Sequence, residues 1–182
     1  RIATENTLFA MPETGIGLFP DVGGSHFLSR CPGQVGQYLA LTGERLKAAD
    51  TIAAGICTSF VPSAKRDELI AALKAADWSG DATHVADDVI ARFAADPGAP
   101  TLPAHRDVID RCFAADSVEG VLAALDAEGS DFARAQAATI RTKSPTSLKL
   151  TFRQIREGGR RSMDDCMRME WRMVNRVIKG HD

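Results

Sequence analysis

The sequence predicts an α/β chain with a short β-rich start and a mostly helical remainder, on three observations. Residues 1–4 and 7–11 are short apolar, β-favouring runs, and the second runs into Pro12. The next 13 residues, 12–24, hold four glycines and two prolines, which marks a tightly specified loop. Beyond Gln34, apolar residues recur mostly at helical spacing, with Gly, Pro, Asp and Ser as punctuation. A chain of 182 residues with 45% hydrophobic side chains is long enough to bury one real core.

The elements follow in order. A short helix is expected over 34–41, closed by Thr42-Gly43, and another over 46–54, closed by Gly55. Residues 57–61 read as a short strand bounded by Gly55 and Pro62. Helical patterns then cover 64–76, 82–95, 104–113, 118–127 and 131–142, with a Pro- and Gly-containing linker at 96–100. Ser144-Pro145 starts a helix that places Leu148, Phe152 and Ile155 on one face and ends at Gly158-Gly159. Ser162 caps the last helix, with Asp165 at capping-box spacing.

Met163, Cys166, Met167, Trp171, Val174, Val177 and Ile178 form the apolar stripe of that helix, a core face or an oligomer contact. Glu170 lies beside the stripe, and its neighbours three and four residues away are Cys166, Met167, Met173 and Val174, none of which can pair with it. It must therefore reach an Arg or a helix N-terminus on another element, or else snorkel to water at the edge of the stripe. Three consecutive segments are expected: 1–62 with the loop, 63–143 with appended helices, and 144–182 with the terminal helices.

Charge and composition exclude several classes. A formal charge of −2 supplies no global basic field, so no nucleic-acid partner is expected. No apolar run reaches the ~20 residues of a membrane-spanning helix, and Arg1-Ile2-Ala3-Thr4 is unlike a secretion signal, so neither a membrane nor a secreted location is expected. Cys31, Cys57, Cys112 and Cys166 show neither CxxC nor zinc-ligand spacing, so no metal site is expected and a reducing compartment fits. His26, His84, His105 and His181 form no ligand or triad spacing. Arg153, Arg156, Arg160, Arg161, Arg168, Arg172 and Arg176 concentrate positive charge late in the chain, either as a solvated ion-paired face or as a contact for phosphates or an acidic surface.

The chemistry sits in the loop. Gly15-Ile16-Gly17 invites a nucleotide-loop reading, but Pro20 occupies the third glycine position of a dinucleotide fingerprint and no Gly-Lys-Ser/Thr follows. What remains is a pair of carboxylates, Glu13 at the end of a strand and Asp21 across the glycine turn, able to converge on one cleft. The bland alternatives are an exposed loop acid at 13 and a helix N-cap at 21. Ile16, Leu18 and Phe19 are candidates for the wall of an acyl pocket or plain core residues, and Gly17 belongs to the same turn.

Met11-Pro12-Glu13, Gly17 and Gly23-Gly24 resemble the segment of the crotonase (enoyl-CoA hydratase/isomerase) superfamily in which a glutamate at the position of Glu13 does acid–base work on a CoA thioester. The longer run through Asp21-Val22-Gly23-Gly24 is similar to the 3-hydroxyisobutyryl-CoA hydrolase branch, whereas hydratases and isomerases usually carry glycine at the position of Asp21. Similarity continues through residues 38–43 and 50–56, Ser144 to Lys149, Met169-Glu170 and Gly180-His181-Asp182, and is weakest over 62–133.

The resemblance implies the C-terminal part of a ββα spiral core followed by a mostly α-helical region. It also implies hydrolysis of a short-chain 3-hydroxyacyl-CoA, with an enoyl-CoA hydratase or isomerase, or a non-catalytic fragment binding acyl-CoA or a partner chain, as alternatives. Glu13 and Asp21 become the catalytic pair, and Glu13, Asp21, Ile16, Gly17 and Phe19 contact the substrate. No separate cofactor is implied, because coenzyme A is part of the substrate. The implied setting is bacterial cytoplasm or mitochondrial matrix, and a homo-oligomer is compatible. The family's oxyanion-hole segments fall before Arg1, so sequence is expected to continue beyond this chain, at the C-terminal end as well.

Overall fold

The structure, a computed structural model, describes residues 1–180. In chain order the regular elements are β1 (Ile2–Ala3), β2 (Leu8–Phe9), α1 (Gly24–Leu28), α2 (Val35–Thr42), β3 (Leu46–Lys47), α3 (Ala48–Ala53), β4 (Ser59–Phe60), α4 (Arg66–Ala75), α5 (Ala82–Ala91), α6 (Arg106–Cys112), α7 (Val118–Glu128), α8 (Asp131–Arg141), α9 (Pro145–Gly158) and α10 (Met163–Val177). Single 3-10 turns cover Glu13–Ile16, Ser63–Lys65 and Leu102–His105. Polar side chains set the helix starts as the punctuation predicts. Ser117, Ser130, Ser144 and Ser162 each accept a backbone N–H of the first turn, from Gly120, Ala133, Ser147 and Asp165 in that order, and Asp81 accepts two. Ser162 Oγ also donates to the carboxylate of Asp165, the residue at capping-box spacing, at 2.8 Å.

The chain forms two compact units, and they do not follow the three consecutive segments read from the sequence. Residues 1–9 and 46–101 make one, and residues 10–45 and 102–182 the other. Strand pairing explains why the first unit is discontinuous. β1 pairs in parallel with β4, Ile2 opposite Ser59, and β2 pairs antiparallel with β3, Leu8 opposite Lys47. The expected helix over 46–54 is thereby corrected: Leu46 and Lys47 are strand, and helix begins at Ala48. Backbone groups of Leu8–Phe9 need partners, and only a segment distant in sequence supplies them. In this unit Val61, Leu69 and Val89 form a small core over which Leu73, Ile90 and Phe93 pack. The Asp50 carboxylate holds Thr101 through its backbone N–H (2.7 Å) and hydroxyl (2.8 Å).

The second unit is helical and contains the loop. Phe19, Leu28, Leu39, Leu41, Ile109, Phe113, Leu125 and Ile140 are fully enclosed in its core, and Tyr38 meets Phe113 edge-on with ring centroids 5.4 Å apart. Two glycines allow backbones to touch. A Cβ on Gly36 would lie 1.8 Å from Leu28 O, and one on Gly158 would lie 2.0 Å from Ser25 O, so α1 sits directly against both α2 and α9.

The last helix departs from its expected stripe. Trp171 is 70% exposed and Met163, Met167 and Ile178 are exposed too, while Cys166 and Glu170 are the buried positions. Burial is therefore centred on the Glu170 side of the helix, where hydrogen bonds reward it, rather than on the most apolar side. Among the described residues no helix is long and apolar enough to cross a membrane, and no cluster of three His, Cys, Asp or Glu is placed to hold a metal ion. His181 and Asp182 lie outside the described residues.

Candidate active site

Glu13 opens the 3-10 turn that follows Pro12, and Gly17 closes it in the left-handed region at φ 77°, its N–H donating to Glu13 O. Three contacts hold this turn within the helical unit. Thr14, fully buried, donates through its hydroxyl to Leu41 O at 3.5 Å, and the Ser144 N–H donates to Thr14 O at 3.0 Å. A Cβ on Gly43, the left-handed cap of α2, would come within 2.9 Å of Pro12 Cα. The loop is thus tied to α2 and to the N-terminus of α9, as expected of a scaffold for a fixed side chain.

Glu13 is half-buried, and its Oε2 atom is buried without a hydrogen-bond partner among the described residues. Burial, first, and the charge of Asp21, second, push its carboxyl above the ordinary carboxylate range, against a stabilising hydrogen bond from its own backbone N–H. The reading of Glu13 as a solvated loop acid is excluded. The N-cap reading of Asp21 is excluded too: Gly23, at φ 90°, is the cap residue of α1, and no side chain within the cap makes the capping bond. The remaining candidates separate. Ile16 is 80% exposed on the turn, whereas Phe19 is completely buried and belongs to the core of the unit. Gly17 lines a cavity of about 510 Å³ with Ser144, the cap of α9, Leu150 of α9, and Met173 and Arg176 of α10 among its other walls, and Glu13 and Asp21 are outside that lining.

Several residues that the sequence reading passed over bear on the site. Lys143 reaches the turn, where a Cβ on Gly15 would lie 3.5 Å from its Nζ. A lone lysine ahead of a helix cap carries no sequence signal that separates it from a solvated one. Gln154 of α9 donates through Nε2 to Pro20 O (2.5 Å) and Ser25 Oγ (2.8 Å). Glu170 of α10 accepts from Gly23 N–H (2.8 Å), Ser25 N–H (3.0 Å) and Ser25 Oγ (2.5 Å). The long-range partner expected of Glu170 is therefore a helix N-terminus, and the snorkelling alternative is excluded by its 4% exposure. Of the arginine face, Arg153 and Arg161 pair with Glu157, and Arg156 lies over the Phe152 ring.

Val22, between Asp21 and Gly23, has φ 47°, the one positive value at a non-glycine among the described residues. A β-branched side chain there is strained by about 1–3 kcal/mol. Val22 is 72% exposed, so its isopropyl group recovers little through packing. Val22→Gly removes the strain at an unfolded-state entropy cost of about 0.5–1 kcal/mol, so a net gain of about 1 kcal/mol is expected, read as a melting temperature about 2–4 °C higher. An unchanged or lower melting temperature would show that the bend is not strained.

A family profile described as enoyl-CoA hydratase/isomerase matches residues 1–182, so the chain belongs to the enoyl-CoA hydratase/isomerase family. Among its curated relatives, the mitochondrial 3-hydroxyisobutyryl-CoA hydrolase of Xenopus tropicalis is 47% identical over 185 residues, covering 100% of this chain and 48% of that protein. The mitochondrial enzyme of the same name from Homo sapiens is 44% identical, covering 100% of this chain and 48% of its own length. Among solved structures, a carnitinyl-CoA dehydratase from Mycobacterium thermoresistibile superposes with a TM-score of 0.88 at 38% identity, covering 100% of this chain and 52% of that one. An enoyl-CoA hydratase from Rhodobacter sphaeroides 2.4.1 gives 0.81 at 36% identity, covering 97% and 49%. The chain thus spans about half the length of the relatives it matches, and it has the crotonase-type α/β fold of these structures.

Proposed function

We propose that the protein hydrolyses the thioester of a short-chain 3-hydroxyacyl-CoA, 3-hydroxyisobutyryl-CoA foremost, releasing 3-hydroxyisobutyrate and coenzyme A. The observation that carries this reading is Glu13: a carboxylate with one buried, unpartnered oxygen, held on a braced turn and electrostatically coupled to a second carboxylate, Asp21. Relatives 44–48% identical over this whole chain are named 3-hydroxyisobutyryl-CoA hydrolases, which supports the choice of substrate.

Two routes use the same atoms. As general base, Glu13 takes a proton from water, the resulting hydroxide adds to the thioester carbonyl, and the C–S bond breaks to release thiolate. As nucleophile, a Glu13 oxygen adds to the carbonyl, thiolate leaves, and water then cleaves the acyl–glutamyl anhydride. Either way the thiolate takes up one proton, the one that water gives up in the reaction, and in this reading Asp21 either relays it to the thiolate or binds the substrate's 3-hydroxyl. Single turnover in oxygen-labelled water tests the anhydride route: label in the Glu13 carboxylate marks water attack on the glutamyl carbonyl of an anhydride, which general-base hydrolysis cannot produce. No cofactor is required, coenzyme A being part of the substrate. Four free cysteines accord with a reducing compartment such as the mitochondrial matrix or bacterial cytoplasm.

The second reading, hydration of an enoyl-CoA, is favoured by the names of the two solved structures. Assaying the full-length protein for thiol release from 3-hydroxyisobutyryl-CoA and for water addition to crotonyl-CoA decides between them: hydrolysis without hydration is expected, and hydration without thiol release would overturn the hydrolase reading.

Asp21→Asn tests the coupling. The charge of Asp21 raises the Glu13 carboxyl, so removing it lets Glu13 ionise at lower pH, while burial still holds it above the ordinary range. The acid limb of kcat/KM, which reports ionisation of Glu13 in the free enzyme, should move to lower pH. A limb that stays in place would show that the carboxylates do not interact.

A further inference from the structure

Glu170 and Gln154 brace the stretch on both sides of Asp21, and neither has another evident purpose. Gln154 holds Pro20 O ahead of Asp21, and Glu170 takes Gly23 N–H and both Ser25 donors after it. Gln154 also donates to Ser25 Oγ, so the two residues share one hydroxyl and form a connected clamp from α9 and α10 onto residues 20–25. Between the clamped ends lies the bend that the chain would otherwise avoid, Val22 at φ 47° followed by Gly23 at φ 90°. A strained backbone persists only where its surroundings over-determine it. Here the restraint is a carboxylate that satisfies three donors, and α10 also closes over the bend, since a Cβ on Gly23 would meet Met163 Cε at 2.6 Å.

We propose that Glu170 is a positioning residue of the thioester site, holding the bent Asp21–Gly23 backbone and so fixing where Asp21 presents its carboxylate. The proposal rests on the reading of Asp21 as a member of that site. The hydrogen bonds of Glu170 go to Gly23 and Ser25, not to Glu13 or Asp21. Its influence passes through Asp21 alone, and that separates it from a residue that merely stabilises the fold.

The test is a double-mutant cycle in the full-length protein, reading kcat and KM for thiol release. Glu170→Ala should lower kcat about tenfold or more, with KM within about threefold, because loss of placement acts on the reaction rather than on binding. Glu170→Gln should lose less, since its amide oxygen still accepts from Ser25. In an Asp21→Asn background, Glu170→Ala should change kcat by less than about twofold, because the effect it transmits is already gone. An equal loss in both backgrounds, or an unchanged kcat, overturns the proposal.

Crystal structures of Glu170→Gln and Glu170→Ala supply a readout independent of turnover. Val22 should relax to negative φ and the Asp21 carboxylate should change position, and finding both unmoved overturns the clamp. If the wild-type protein releases no thiol from any 3-hydroxyacyl-CoA, the hydrolase reading fails, while the crystallographic comparison still decides whether Glu170 places Asp21. If Glu170→Ala does not fold, Glu170→Gln carries both measurements.

Discussion

Replacing Glu13 with alanine in the full-length protein should abolish thioester hydrolysis and leave acyl-CoA binding nearly intact. The side chain is placed for reaction more than for affinity: half-buried, with one oxygen unpartnered, and pushed toward protonation by burial and by Asp21. A general base contributes roughly 10²–10⁴-fold, and a nucleophile whose removal leaves no alternative route contributes at least as much. A fall in kcat of about a thousandfold or more is therefore expected, with the dissociation constant for a non-hydrolysable acyl-CoA analogue within a few-fold of wild type. Truncation also relieves the burial of a charge, so the variant should melt no lower than the parent. Thiol release at near wild-type rate would remove Glu13 from the reaction, and loss of analogue binding would make it a binding group instead.

The second large effect is on stability. Gly158→Ala adds one methyl group to the last residue of α9, 2.0 Å from Ser25 O and 2.8 Å from its carbonyl carbon. Both obstructing atoms are backbone, so no rotamer change relieves the contact, and α1 must shift by about an ångström or more. The shift would disturb the same stretch that Glu170 and Gln154 hold, because Ser25 donates to one and accepts from the other. A loss of about 3 kcal/mol or more is expected. Gly80→Ala is the matching control: no atom lies within 4 Å of the added methyl, so the melting temperature should stay level or rise slightly. Equal melting temperatures for the two variants would show that α1 and α9 yield freely.

Much of the framework is local information and was legible without coordinates. Serine caps, glycine stops and helical periodicity act within a few residues, and so the starts at Ser117, Ser130, Ser144 and Ser162 match their side-chain chemistry. The loop was legible for the same reason, since four glycines and two prolines in 13 residues admit few conformations. The Leu46–Lys47 strand was not legible, because a strand of two residues is defined by a partner almost forty positions away. Which side of α10 faces the core was not legible from composition, which left the apolar stripe as core or oligomer contact: Met163, Met167 and Trp171 are exposed, while Cys166 of the stripe and Glu170, held by three hydrogen bonds, are buried.

By itself the sequence determined the serine-capped helix starts, the glycine turn, the two carboxylates flanking it, and the need of Glu170 for a distant partner, each set by neighbours within a turn or two of the chain. Only the tertiary structure decided which residues 147 positions apart meet, that Phe19 is core while Ile16 is exposed, and that Asp21 sits on a bend held in place from α9 and α10. The reason is physical: caps and turns satisfy hydrogen bonds locally, whereas burial and the satisfaction of a lone carboxylate depend on what the rest of the chain brings to it.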